Sequence, residues 1–315
     1  MKILINLGVS ENAVTILEEA NFEVITTKVA EQQLENFINE ETIDAILIPN
    51  SIEIQQEFID ACPSLKLIGT SGVNLDNIDV QYAKDQGVHV INASESSANA
   101  IAELVFGHLL GMVRNLHLSN REMPLEGDSN FTGLKKMYWG TELRGKTLGI
   151  IGMEQTAIAT ARIALGLGMK VVMYHFEAKE VNVELEFFDG QTTSFNFSSV
   201  SMEELLKDAD FISVNMPSAD DHILTAAHFE KMNDGIGIVN CTNGRLIDEV
   251  ALVKAINDGK IKYAALDVFE SEPRPEIQLL MNPNLSLSPN IASLTEETVN
   301  KVGLELANQA VALLS

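Results

Sequence analysis

The stretch Thr147-Leu148-Gly149-Ile150-Ile151-Gly152-Met153-Glu154-Gln155-Thr156-Ala157 decides how this chain is built. A short β-rich run ends in a glycine, and a helix-forming segment starts within a few residues. That is a strand–turn–helix, whose tight turn aims the first amides of the helix at an anion. The dinucleotide form of this turn reads G-x-G-x-x-G/A, with an acidic residue about 20 positions on. Gly152 holds the first glycine position and Ala157 the third. Glu154 stands at the second. His175, at the end of the next strand, stands where the acid belongs.

The second glycine of such a turn lets a pyrophosphate lie against bare backbone. A carboxylate there opposes it. Two unit charges about 4 Å apart at an effective dielectric near 20 repel by about 4 kcal/mol, roughly a thousandfold in affinity. The helix N-terminus still favours an anion. Glu154's own carboxylate is expected to be that anion, satisfying the amides a cofactor would use. His175 offers a neutral or cationic group where NAD needs a carboxylate for its ribose. A cation can accept a 2′-phosphate, so His175 is weak support for NADP.

Outward from this turn, strands and helices alternate. β-rich runs at 2–6, 22–26, 45–48, 65–69 and 88–91 frame a helical stretch at 11–20. A second set continues with strands at 147–151, 170–174, 211–214, 236–240, 263–267 and 285–287, and helices at 157–167, 202–207, 249–258 and 296–314. Between the sets lie a long apolar helix at 94–114 and a polar stretch at 115–133, read as loop or exposed helix. The alternation predicts an α/β protein with two doubly wound parallel-sheet domains and a cleft between them.

The chain has 315 residues, 45 acidic and 21 basic, for a formal net charge of −24. Such a surface repels phosphate backbones, which argues against nucleic-acid and anionic-membrane partners. The two cysteines, Cys62 and Cys241, make no disulfide framework and fit a reducing cytoplasm. The apolar run at the start is too short for a signal peptide, and the stretch 100–113 contains Glu103 and His108, so no span of a membrane is expected. No His, Cys, Asp and Glu spacing suits a metal.

Three further segments are long and specific: 72–79 (GVNLDNID), 140–152 (GTELRGKTLGIIG) and 265–273 (ALDVFESEP). Their order and spacing resemble the D-isomer-specific 2-hydroxyacid dehydrogenases, closest to the phosphoglycerate-dehydrogenase branch, over essentially the whole chain. The resemblance implies a Rossmann cofactor domain, 97–290, inserted into a flavodoxin-like substrate domain of 1–96 plus 291–315. It also implies a homodimer formed with the help of the long helix, and hydride transfer between a 2-hydroxy acid and NAD. In that chemistry a His oriented by a Glu moves the hydroxyl proton, while an Arg binds the carboxylate.

Carried over position by position, the resemblance puts the Arg at Asn243 and the His at Asn290, while Glu272 keeps the orienting carboxylate. A substrate-domain Arg falls at Pro49. The substrate-carboxylate loop is Ser71, Gly72, Val73 and Asn74, with Asn74 in place of its second glycine. The cofactor positions are Gly152, Glu154, Gln155, Thr156, Ala157, His175, Cys241 and Asp267, the last on the nicotinamide side. An amide has no accessible proton equilibrium near neutral pH, so Asn290 is no general base. Asn243 lacks charge and a bidentate fork.

These departures predict a scaffold that has left the family reaction: a pseudoenzyme that binds a protein partner or a small molecule. The alternatives are an NAD(P)-dependent oxidoreductase with a displaced site, and different chemistry in the same cleft. A displaced site would use Arg245, otherwise an exposed turn residue, or His222 and His228, otherwise surface or capping histidines with no evident carboxylate partner. Glu272 reads otherwise as a turn residue, Asp267 as a strand-end cap and Cys241 as a buried thiol. Finally, residues 181–188 and 191–197 alternate around Asp189-Gly190. That predicts an extra β-hairpin with a type I′ turn, near an adenine site. It would cover that site, offer an edge to a partner, or be a tolerated surface insertion.

Overall fold

The computed structural model describes residues 1–72, 75, 77–93, 96–219 and 221–314. In chain order the first elements are β1 (Lys2–Ile5), α1 (Glu11–Glu19), β2 (Glu23–Ile25), α2 (Glu31–Glu41), β3 (Ala45–Ile48), α3 (Gln56–Ala61), β4 (Leu67–Thr70), α4 (Val80–Asp85) and β5 (His89–Asn92). Then come α5 (Ala98–Val113), α6 (Leu116–Glu126), α7 (Phe131–Met137), β6 (Thr147–Ile151), α8 (Gln155–Gly166), β7 (Lys170–Tyr174), β8 (Glu180–Glu186) and β9 (Thr192–Ser198). The chain continues through α9 (Met202–Asp208), β10 (Phe211–Val214), α10 (Ala226–Lys231), β11 (Ile236–Asn240), a 3₁₀ turn (Gly244–Leu246) and α11 (Glu249–Asn257). It ends with β12 (Ile261–Leu266), α12 (Ile277–Leu280), β13 (Leu285–Leu287) and α13 (Glu296–Leu314). Two compact units result: Met1–Ser97 with Ser293–Ser315, and Ala98–Ala292.

The first unit is a five-stranded parallel sheet in the order β2-β1-β3-β4-β5. Its strands are apolar on both faces because helices cover both. Ile3 and Ile5 point to the side of α1 and α13, where Leu17, Leu306 and Ala310 are fully buried. Leu4, Ile46 and Ile48 point to the opposite side, against Leu34, Ile38 and Phe58 of α2 and α3. Helix α2 escapes the sequence reading because its apolar residues sit within a run of Glu, Gln and Asn.

The second unit is a six-stranded parallel sheet in the order β13-β12-β11-β10-β6-β7. The order reverses between β6 and β10, and ligands of doubly wound sheets gather at the carboxyl ends beside such a point. Helix α5 packs through Ala98 and Ala102 against Ala159 of α8. The sequence places its start at 94; Ser94 and Glu95 lie outside the described residues. The stretch 115–133 is largely helical, forming α6 and the first three residues of α7.

The insertion does form an antiparallel hairpin, β8 with β9. Its turn differs from the expected one. Only Gly190, at φ +81°, has positive φ, whereas a type I′ turn needs it at two positions. Gly190 N donates to Phe187 O and Phe187 N to Gln191 O, which is a three-residue connection closed by a left-handed glycine. Val183 of β8 is fully buried against α8, while Glu184 and Glu186 face solvent on the other side of the ribbon.

Candidate functional site

The turn after β6 is tight because the backbone leaving β10 passes directly beside Gly152. Gly152 sits at φ +123°, and a Cβ there would meet Asn215 O at 2.6 Å. Asn215 N in turn donates to Ile151 O at 2.8 Å, which locks the ends of β6 and β10 together at the switch point. Gln155, Thr156 and Ala157 form the first turn of α8, with Thr156 and Ala157 buried.

Glu154 is the N-cap residue of α8, yet its side chain makes no cap hydrogen bond. The expectation that its carboxylate satisfies the helix amides is therefore wrong. Its Oε1 pairs instead with Lys179 Nζ in a short contact, and His175 Nε2 lies 3.7 Å away. A cation supplied from the base of the hairpin outcompetes neutral amides for a carboxylate. Lys179 was missed in the sequence because the family turn has no place for it; the signal was a lone Lys in an acidic insertion. His175 is held from both sides: its Nδ1 accepts from Glu177 N at 3.2 Å, and its ring stacks on Phe176 at 4.2 Å.

A second cluster forms where β11, β12 and β13 end. Asn243 is buried, its Oδ1 accepting from Arg245 N at 2.9 Å and its Nδ2 donating to Pro217 O at 2.9 Å. Arg245 is exposed in the 3₁₀ turn. Gly244 passes so close to the β12 loop that a Cβ would meet Phe269 C at 2.1 Å. This close approach sets the Asn243 turn against the loop that carries Glu272. Glu272 Oε1 accepts from Phe269 N at 3.0 Å, and its Oε2 accepts from Asn290 Nδ2 at 2.8 Å. Asn290 itself sits at φ +53°, a left-handed conformation that Asn tolerates well.

Asp267 is fully buried and ties this cluster together. Its carboxylate accepts from Ile291 N, Ala292 N and Ser288 Oγ, while its carbonyl accepts from Asn290 N at 2.7 Å. Behind Ser288 stands His108 of α5, with Nε2 2.9 Å from Ser288 Oγ and Nδ1 2.9 Å from Ser286 Oγ. Since Ser288 donates to Asp267, its oxygen accepts from His108 Nε2, and a neutral ring then accepts from Ser286 Oγ at Nδ1. Burial pushes the His108 pKa down, which favours the neutral ring. Burial, with Asp267 nearby, drives the Cys241 thiol well up and keeps it protonated.

The histidines also find partners. His228 Nδ1 accepts from Thr225 N in a capping box, as a capping residue would. His222, expected to lack a carboxylate, has one: its Nε2 is 3.0 Å from Glu270 Oε1. Glu270 and Glu249 exchange backbone hydrogen bonds, each carboxylate accepting from the other's N–H at 3.2 and 3.0 Å. Burial, reinforced by the carboxylates of Glu270, Glu276 and Glu272, pushes Glu249 up to about 6.

Ser71 and Gly72 follow β4 in the first unit, and Asn92 Nδ2 donates to Gly72 O at 3.4 Å. Val73 and Asn74 lie outside the described residues. Among the described residues no group of His, Cys, Asp and Glu could hold a metal ion, and no helix is long and apolar enough to cross a membrane.

Residues 106–292 match the family described as D-isomer specific 2-hydroxyacid dehydrogenase, NAD binding domain. The chain belongs to this family. The hydroxypyruvate reductase of Thermotoga maritima is 34% identical over 300 residues, which is 93% of this chain and 92% of that one. The D-3-phosphoglycerate dehydrogenase of Methanocaldococcus jannaschii is 33% identical over 314 residues, 98% of this chain but 56% of that protein. The chain thus spans little more than half the length of that relative. A glyoxylate reductase crystal structure from Paecilomyes thermophila superposes with a TM-score of 0.76 at 28% identity, covering 99% of this chain and 95% of that one. The family's two-domain α/β architecture and its Rossmann-type NAD-binding domain are accordingly those of this protein.

Proposed function

We propose that this chain keeps the 2-hydroxyacid dehydrogenase scaffold without its hydride transfer, and that it serves as a binding protein. The observation that carries the reading is the Asn290 Nδ2 to Glu272 Oε2 hydrogen bond at 2.8 Å. Glu272 holds a carboxamide where the resemblance implies an imidazole. A carboxamide neither takes nor gives a proton near neutral pH. Loss of a general acid–base group alone costs roughly 10²–10⁴ in rate. Asn243 adds to this loss, since its carboxamide is engaged by backbone and carries no charge for a substrate carboxylate.

The residues present do not fit a dinucleotide well. Gly152 keeps the turn, but Glu154 sets a carboxylate beside the α8 N-terminus, cross-linked to Lys179. No carboxylate stands at the His175 position to receive a ribose. The displaced-site reading loses support as well, because Arg245 is exposed and His222 is engaged by Glu270 rather than Glu272.

A second copy of the chain is the partner we propose. Leu125, Phe131, Met137 and Trp139 are 71%, 60%, 67% and 83% exposed along α6, α7 and the turn after them. A soluble surface rarely leaves such a set uncovered. Two buried, unpaired cysteines agree with action in the cytoplasm. The test is turnover: the purified chain with NADH or NADPH and glyoxylate, hydroxypyruvate or pyruvate should consume no cofactor beyond the buffer rate. Cofactor consumption that scales with protein concentration would refute the reading.

A further inference from the structure

We propose that the cavity beside Glu272 is a binding site for a small organic ammonium ion, that is, a primary or secondary amine on an apolar body. The proposal rests on the reading that Asn290 has replaced the family's acid–base group. The cavity measures about 390 Å³. That lies within the range of small-molecule sites, about 300–1,000 Å³. Its walls are apolar: Phe269, Pro273, Pro275, Leu280 and Leu287. Its polar atoms come from Glu272, Ser288 and Asn290, and no Lys, Arg or His is among its lining residues.

Charge selects the ligand. The family site described by the resemblance pairs one carboxylate with two cations, an imidazolium and a guanidinium, and so receives an anionic acid. This chain retains the carboxylate as Glu272 and holds neutral carboxamides at both cation positions. Among the described residues, the hydrogen bonds to the Glu272 carboxylate come from neutral donors, Phe269 N and Asn290 Nδ2. Ser288 is already committed to Asp267 and His108. Glu276 adds a further carboxylate nearby, while Glu270 is paired with His222. A 2-oxo acid entering this cavity meets repulsion. An ammonium meets an unneutralised carboxylate at the rim and apolar walls for its carbon body, and a charge-assisted hydrogen bond is the strong kind.

Three probes of one shape test this: cyclohexylammonium, cyclohexanol and cyclohexanecarboxylate, titrated into the full chain with saturation-transfer NMR as the readout. The expected order is ammonium first, alcohol at least tenfold weaker, and carboxylate without binding. Glu272→Gln, which keeps an acceptor for Phe269 N, should lower ammonium affinity roughly tenfold or more and leave the alcohol unchanged. Leu280→Arg, at an exposed wall position, should abolish ammonium binding without unfolding the chain. Equal binding of ammonium and carboxylate, or an ammonium preference that survives Glu272→Gln in a folded protein, overturns the proposal. Turnover of NADH with 2-oxo acids on the same sample would instead strike the proposed function, so the two failures are distinguishable.

Discussion

Asn290 and Glu272 are joined by one hydrogen bond, 2.8 Å from Nδ2 to Oε2, and Asn290 makes it from a left-handed backbone at φ +53°. The hydrogen bond holds this residue in place while the left-handed backbone opposes it, and substitution separates the two effects. Asn290→Gly removes the hydrogen bond but relaxes the backbone. Asn290→Ala removes the bond and adds the left-handed penalty. Denaturant unfolding should show Ala the more destabilising by about 1 kcal/mol. Equal costs would mean the backbone conformation carries no penalty there.

Asn290→His should fold, because His also tolerates left-handed backbone. The new imidazole would sit beside the Glu272 carboxylate. Its pKa should rise above the usual value near 6.5, read from the ring carbon-proton shifts by NMR. An unshifted or lowered pKa would show that Glu272 does not address this position.

At the nucleotide turn, the combined Glu154→Gly and His175→Asp substitutions should tighten NADH binding by roughly tenfold or more, measured by calorimetry. Removing the carboxylate frees Lys179, which lies in reach of the α8 N-terminus and favours an anion there. A folded double variant with unchanged NADH binding would show that Glu154 and His175 are not what opposes the cofactor.

The pH dependence of stability follows from Glu249. Burial raises its carboxyl from about 4.5 to about 6 in the folded chain. Between these values the folded state holds more protons than the unfolded state, so stability falls as pH rises through this window. The contribution is about 2 kcal/mol, fully lost above pH 6. Glu249→Gln should remove that slope and stabilise the chain at pH 7. Denaturation midpoints of both proteins across this window check it, and parallel curves would refute it.

Two glycines give opposite expectations. At Gly190, φ is +81° with nothing near a Cβ, so Gly190→Ala costs only backbone strain, about 1 kcal/mol. At Gly244, φ is ordinary but a Cβ would sit 2.1 Å from Phe269 C, so Gly244→Ala should cost about 3 kcal/mol and separate the Asn243 turn from the Glu272 loop. Thermal unfolding of the two variants ranks them.

The fold was legible because strand runs such as 45–48, 147–151 and 211–214 are continuous and apolar, a signature of parallel sheets buried on both faces. The hairpin was legible from its alternation. Its turn type was not, because Asp-Gly serves both a two-residue loop and a three-residue loop with glycine last. The residues of the candidate site stand at motif positions in the sequence; their partners in the fold were not legible there. Lys179 reaches Glu154 across 25 residues, His108 reaches Ser288 across 180, and His222 reaches Glu270 across a separate loop. Pairings of that range are set by packing, and no local spacing encodes them.

The central claim is that this scaffold transfers no hydride, and isotope transfer tests it most directly. NADH carrying deuterium at its transferable position would be incubated with glyoxylate and the purified chain, and the glycolate examined by mass spectrometry. The account predicts no deuterium in the product beyond a protein-free control. Deuterium that accumulates with time and with protein concentration would contradict it.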